Sequence, residues 1–142
     1  MSQSPTIHNT NTSVLQKEAT DLLKKLIAIP SFSKEEDKTA LLLTQFFVDR
    51  NIKVNTIKNN IWVANLHFDE SKPSILLNSH HDTVKPNKGY TNEPFSPIEK
   101  EGKLFGLGAN DAGGSLVSLI ACFLHFYALP NLAYNIIFSS IC

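Results

Sequence analysis

Two short segments of this 142-residue chain carry side chains that can bind a metal ion. The first follows an apolar run at residues 75–77 and places His80, His81 and Asp82 in succession. Because side chains alternate between the two faces of a strand, His80 and Asp82 point one way and His81 the other. A carboxylate beside an imidazole can fix the ring tautomer of a metal-binding histidine. A plain His–Asp hydrogen bond at a strand end would use the same pair, and the motif alone leaves both interpretations open.

The second segment is the glycine-rich stretch from Gly106 to Gly114, which contains Asp111. A dinucleotide-binding fingerprint needs glycine or alanine at its third position, where this chain has Asp111, and a carboxylate there would repel phosphate. Asp111 could instead cap the helix that follows. It could also offer its carboxylate to a divalent metal held beside His80 and Asp82. Together the two segments favour a metal site more than either one does alone.

The rest of the sequence predicts the elements that must position these side chains. Apolar residues at three- and four-residue spacing predict helices near residues 15–27, 34–50 and 115–127. Runs of apolar and β-branched residues predict strands near residues 53–57, 61–66, 74–79, 98–105 and 133–141. Helices that alternate with strands in this way indicate an α/β fold with a mixed sheet.

Three local patterns add detail to these elements. Ser33, with Glu36 three residues later, predicts a capping box that opens the second helix. The pair Asn59-Asn60 predicts the turn of a hairpin. The run at residues 74–79 shows no clean polar alternation, which predicts a strand that is covered on both faces.

The composition disfavours several kinds of partner. Lysine plus arginine number 13 and aspartate plus glutamate number 13, so the net charge is zero and no positive field attracts nucleic acid or a membrane surface. The apolar run at residues 116–129 is shorter than the roughly 20 residues of a spanning helix. Two cysteines without a C-x-x-C spacing indicate a reducing, cytoplasmic setting. The sequence predicts a flexible tail at residues 1–13 and a folded part at residues 14–142.

With these segments in view, the sequence resembles the zinc metallohydrolases that include acetylornithine deacetylase, succinyl-diaminopimelate desuccinylase, aminoacylase and carboxypeptidase G. The resemblance rests on the segments Leu76–Val84, Glu93–Phe95 and Lys103–Asp111. It implies that residues 14–142 are the N-terminal portion of a three-layer α/β/α catalytic domain with a mixed central sheet.

The same resemblance implies a role for each candidate side chain. His80 would bind one of two zinc ions, with Co²⁺ as an alternative metal, and Asp111 would bridge the two ions. Asp82 would be the catalytic-site carboxylate that orients His80. Two neighbouring metals activate water and polarise an amide carbonyl, which gives hydrolysis without a covalent enzyme intermediate.

The segment Asn110–Gly114 is most similar to acetylornithine deacetylase, which implies deacetylation of acetylornithine, an N-acyl amino acid, in arginine biosynthesis. Many family members carry arginine where this chain has Leu107, so a succinyl-diaminopimelate desuccinylase or a dipeptidase of the same superfamily is an alternative. Full-length relatives are expected to form homodimers.

The end of the sequence departs from the family pattern. Family members carry a Glu-Glu pair, a general base and a metal ligand, after the strand that here reads Ser139-Ser140-Ile141-Cys142. We therefore expect a truncated and inactive form of the enzyme. A non-catalytic α/β module that binds metal weakly or not at all is an alternative, and a nucleotide-binding half-domain is another that Asp111 disfavours.

Overall fold

The computed structural model describes residues 11–142. Three α-helices occur in this part of the chain: α1 (Thr12–Ile27), α2 (Asp37–Val48) and α3 (Gly114–Phe126). The strands within the same residues are β1 (Asn55–Ile57), β2 (Asn60–Ala64), β3 (Ser74–His80), β4 (Ile98–Lys100), β5 (Lys103–Phe105) and β6 (Asn135–Ile141). An irregular turn, Ala109–Gly113, in which Asp111 and Ala112 have non-helical backbone angles, immediately precedes α3.

Four of these strands form one mixed sheet in the order β1-β2-β6-β3. Strand β2 pairs antiparallel with both β1 and β6, whereas β3 and β6 pair in parallel. A parallel pair needs a crossover connection, and α3 lies in the crossover from β3 to β6. Strands β4 and β5 form a separate antiparallel pair. The predicted α/β fold with a mixed sheet is confirmed.

The core lies between the helices and one face of this sheet. Along β2 the side chains of Ile61 and Val63 are buried and alternate with less buried neighbours, as expected for a strand with one covered face. At the centre, the ring of Phe47 from α2 lies 6.0 Å from that of Phe123 in α3 and 5.7 Å from that of Phe138 in β6. All three helices contribute buried side chains to this one cluster. The elements of residues 11–142 thus supply a sheet and one helical layer of the predicted three-layer domain.

Strand β3 does not have the surroundings that its apolar sequence predicts. It lies at the edge of the sheet and pairs only with β6 within the described residues. The side chains of Ile75 and Leu76 are 45% and 60% exposed. Because these two successive residues point to opposite faces, the expectation of a strand covered on both faces is wrong for the described residues. An apolar run does not reveal which elements pack over the faces of its strand.

The start of the first helix and the position of the hairpin turn also differ from the sequence predictions. Helix α1 begins at Thr12, where the Asn11 side chain accepts a hydrogen bond from the Ser13 backbone N–H at 3.2 Å. The predicted tail therefore ends before residue 13, and its first ten residues lie outside the described part. The hairpin turn is Lys58-Asn59, since Ile57 pairs with Asn60.

None of the helices between residues 11 and 142 is both long and apolar enough to cross a membrane.

Candidate metal centre

The carboxyl end of β3 positions His80. The Nδ1 atom of His80 lies 3.1 Å from Oδ1 of Asp82 and 3.2 Å from the backbone oxygen of the same residue. Both partners accept hydrogen bonds, because Asp82 carries a carboxylate and a carbonyl at these atoms. Nδ1 must therefore carry a proton and donate it. In the neutral imidazole this leaves the lone pair on Nε2.

The glycine-rich turn brings Asp111 to the other side of the same ring. Its Oδ1 atom lies 3.2 Å from Nε2 of His80, and its side chain is 89% exposed. Gly108 makes this approach possible. Its φ is +76°, and a Cβ atom at this position would lie 2.6 Å from the Cγ2 atom of Thr83. The turn that carries Asp111 can therefore sit against the segment that follows β3 only with glycine at residue 108.

The sequence left open whether Asp111 caps a helix, and the structure shows that it does not. The residue at the N-cap of α3 is Gly113, and no side chain caps this helix. The structure thus brings together the three side chains that the sequence singled out, His80, Asp82 and Asp111. It places them at the meeting point of a strand end and a glycine turn.

Two groups that both accept hydrogen bonds face each other across this site. With Nδ1 of neutral His80 protonated, Nε2 presents a lone pair to the carboxylate of Asp111 at 3.2 Å. Such an arrangement is favourable only when a proton or a metal cation lies between the two atoms. Zinc bonds to nitrogen and oxygen of about 2.0–2.2 Å place two ligand atoms of a tetrahedral site about 3.4 Å apart. The donor types and their separation fit a zinc ion.

The described residues supply only part of a metal centre. Catalytic zinc sites use three protein ligands and keep one open position. Among residues 11–142, no group of three or more histidine, cysteine, aspartate or glutamate side chains is arranged to hold a metal ion. His80 and Asp111 offer two donor atoms 3.2 Å apart, fewer than such a site uses.

Ser33 also contacts the site, from the connection between α1 and α2, although its sequence pattern indicated a helix cap instead. Its hydroxyl donates to Oδ2 of Asp82 at 2.6 Å. The predicted capping box is therefore wrong. The Glu36 side chain makes no capping bond to α2 and instead accepts hydrogen bonds from the Lys34 backbone N–H and from Asn59. A serine 49 positions before its partner has no local sequence signal for this role.

The charge state of Asp82 follows from these contacts. Partial burial acts to raise the pKa of its carboxyl group, but the hydrogen bond from Ser33 and the contact with His80 outweigh burial and lower the pKa overall. Asp82 is therefore ionised at neutral pH and accepts the Nδ1–H of His80.

His81 points to the opposite face, as the strand alternation predicts, but it is not a surface residue. It is buried, with 6% of its surface exposed. Its Nδ1 atom lies 2.7 Å from the Ser140 hydroxyl, and its Nε2 atom lies 3.0 Å from the Cys142 sulfur. Burial lowers the pKa of His81 despite the nearby carboxylates of Glu36 and Asp82. Burial also raises the pKa of the Cys142 thiol to about 12.

The candidate metal centre opens into a cleft of about 320 Å³. Its polar side is formed by His80, Asp82 and Asp111, and Tyr90 and Leu107 contribute to its apolar side. A pocket that combines convergent polar groups with apolar walls is suited to a small organic molecule.

Comparison with known proteins identifies relatives of this chain. Residues 76–141 match the model of peptidase family M20/M25/M40. A probable carboxypeptidase of Emericella nidulans is 34% identical over 122 residues, which cover 80% of this chain and 27% of that protein. A succinyl-diaminopimelate desuccinylase of Bordetella avium is 27% identical over 114 residues, covering 76% of this chain and 29% of the relative. The chain thus spans less than a third of the length of these curated relatives.

Solved structures show the same fold. Human carnosine dipeptidase 1 superposes with a TM-score of 0.69 at 21% identity, over 91% of this chain and 32% of that one. A Bacillus subtilis peptidase of the M20 family, described as dinuclear metal binding, gives a TM-score of 0.64 at 16% identity, over 90% of this chain and 35% of its own.

Proposed function

We propose that this chain, which belongs to peptidase family M20 over residues 76–141, binds zinc through His80 and Asp111 for the hydrolysis of amide bonds in N-acyl amino acids. The observation that carries this proposal is the 3.2 Å approach of His80 Nε2 to the Asp111 carboxylate. Two acceptor groups at this distance need a proton or a metal cation between them, and their nitrogen and oxygen atoms suit zinc. Co²⁺ accepts the same donors and is the alternative metal.

Each side chain has a distinct task in this proposal. Asp82 accepts the Nδ1–H of His80 and so directs the Nε2 lone pair towards the metal. Asp111 would add negative charge to the site from the exposed glycine turn. When bound, zinc supplies the Lewis acidity that polarises the amide carbonyl.

The substrate proposal is finer than the family assignment. We propose acetylornithine deacetylation, in arginine biosynthesis, as the reaction of the enzyme that contains these residues. The support is the segment Asn110–Gly114 and a cleft of about 320 Å³, which is large enough for a small N-acyl amino acid. N-succinyl-diaminopimelate and dipeptides are the competing substrates, and the relatives named above favour these classes. We propose a cytoplasmic enzyme that acts as a homodimer.

Zinc titration of the 142-residue chain tests the metal proposal, with heat of binding as the readout. We expect His80→Ala to weaken zinc binding at least about tenfold, because it removes one of two identified ligands. His67 is exposed and is not part of the site, so His67→Ala is the matched control and should bind zinc like the unmodified chain. Equal zinc affinity of His80→Ala and His67→Ala would contradict the proposal.

Amine release tests the substrate proposal. The assay uses the natural gene product that contains these residues, purified from its own cells and supplied with zinc or cobalt. N-acetylornithine, N-succinyl-diaminopimelate and a dipeptide are tested as substrates in parallel. We expect the highest kcat/KM with N-acetylornithine. A preference of tenfold or more for either other substrate would assign the chain to that class instead.

A further inference from the structure

The carboxylate of Asp82 uses its two oxygens for two different residues. Oδ1 accepts from His80 Nδ1 at 3.1 Å, and Oδ2 accepts from the Ser33 hydroxyl at 2.6 Å. We propose that Ser33 is a positioning residue of the metal site, which holds the Asp82 carboxylate in the plane that fixes the tautomer and orientation of His80. This inference rests on the proposed metal-binding function and adds to it a residue from outside the matched family segment.

The backbone around Ser33 is fastened to the backbone around Asp82. Residues Phe32 and Thr83 form a parallel β-bridge, and the Thr83 N–H donates to the Ser31 oxygen at 2.7 Å. The buried Ser31 hydroxyl donates to the His81 backbone oxygen at 3.0 Å. The position of the Ser33 hydroxyl is therefore set by contacts that do not involve the proposed metal ligands. The hydroxyl can thus hold the Asp82 carboxylate in one orientation.

The hydrogen bond itself is of a strong kind. A hydroxyl that donates to a carboxylate at about 2.5–2.7 Å is charge-assisted and about twice as strong as a neutral bond. Asp82 is only 25% exposed at its side chain, so bulk water is a limited substitute for the lost donor. Without Ser33, Oδ2 has no hydrogen-bond partner among residues 11–142, and the carboxylate can rotate away from Nδ1 of His80. Residues that orient metal ligands in this way typically change metal affinity about 10- to 100-fold when they are replaced.

The test compares Ser33 variants of the full chain by ¹⁵N NMR of the His80 ring without metal, followed by zinc titration. The isosteric pair Ser33→Thr and Ser33→Val separates the hydroxyl from the shape of the side chain. Ser71→Ala is the matched control, because the Ser71 hydroxyl donates to the Asp69 carboxylate at 2.7 Å outside the candidate site. A dispersed amide spectrum verifies that each variant is folded.

We expect the unmodified chain, Ser33→Thr and Ser71→Ala to hold neutral His80 in the Nδ1–H tautomer. Ser33→Val should raise the fraction of the Nε2–H tautomer above that of the unmodified chain, although the Asp82 backbone oxygen, 3.2 Å from Nδ1, still favours the Nδ1–H form. It should also bind zinc about tenfold more weakly. Tautomer fractions and zinc affinity in folded Ser33→Val equal to those of the unmodified chain would overturn the inference. If the unmodified chain binds no zinc, the proposed function fails while the tautomer comparison still decides the role of Ser33. If Ser33→Val does not fold although Ser33→Thr does, the same two measurements are made on Ser33→Ala and judged by the same criterion.

Discussion

The imidazole of His81 and the hydroxyl of Ser140 lie 2.7 Å apart and join the end of β3 to β6 on the side away from the candidate metal centre. The thiol of Cys142, whose pKa burial raises to about 12, keeps its proton at neutral pH and lies 3.0 Å from Nε2 of His81. Burial also lowers the pKa of His81, so the structure favours the neutral form of this side chain.

This neutral state predicts a pH dependence of stability. Burial lowers the pKa of His81 in the folded chain, whereas the unfolded chain binds the proton near the ordinary histidine value of about 6.5. Below about pH 6.5 the unfolded state therefore holds more protons, and the free energy of unfolding falls as the pH falls. Urea denaturation at pH 7.5 and 5.5 measures the change. His81→Gln should reduce this pH dependence, and exposed His67→Gln should preserve it.

Asp111→Asn separates metal binding from folding. The amide nitrogen of asparagine can donate to Nε2 of His80, so the facing atoms no longer need a cation between them. We expect the free energy of unfolding to change by less than about 0.5 kcal/mol, as for most exposed substitutions. Zinc affinity should fall at least about tenfold, since a neutral amide replaces a carboxylate ligand. Calorimetric titration and urea denaturation of the same sample check both outcomes, and unchanged zinc affinity would remove Asp111 from the site.

Gly108→Ala should be more harmful than Gly102→Ala. Both glycines have positive φ, +76° and +73°, so alanine costs about 1–2 kcal/mol of backbone strain at either position. Only residue 108 adds a clash, because its Cβ would lie 2.6 Å from Thr83 Cγ2, whereas residue 102 faces open space. We expect Gly108→Ala to lose about 1–3 kcal/mol more and to bind zinc more weakly. Equal melting temperatures for the two variants would contradict the close approach of residue 108 to Thr83.

The polypeptide of residues 1–142 should hydrolyse N-acyl amino acids negligibly on its own. The carboxylates that line the cleft are Asp82 and Asp111, and both are engaged with His80. The described residues therefore offer no separate general base there, and loss of a general base alone costs about 10²- to 10⁴-fold in rate. Amine release from N-acetylornithine with added zinc measures this. Turnover of about 1 per second or more, which is ordinary for enzymes, would show that the cleft is complete.

The grouping of His80, Asp82 and Asp111 could be predicted because it depends on local sequence patterns. Two-residue alternation places His80 and Asp82 on one face, and a glycine turn after a strand brings Asp111 beside them. The position of Asp111 next to His80 was inferred from two segments 31 residues apart, each with a recognisable pattern.

Ser33 and the surroundings of β3 could not be predicted in the same way. The Ser33 pattern fits a capping box, and only the tertiary pairing of residues 31–33 with 81–83 redirects its hydroxyl to Asp82. Similarly, the apolar residues of β3 indicate burial, but which elements cover the faces of a strand depends on contacts between distant parts of the chain. The burial of His81 likewise depends on the contact of its side chain with Ser140 in β6.

The edge position of β3 gives this strand a characteristic pattern of amide hydrogen exchange. Successive residues of a strand direct their N–H groups to opposite sides, and in β3 one side meets β6 while the other has no strand partner within residues 11–142. Slowly exchanging amides should therefore alternate with rapidly exchanging ones from Ser74 to His80. If two copies of the chain paired through this edge, the fast set would become slow, and exchange rates along seven residues would report the association directly.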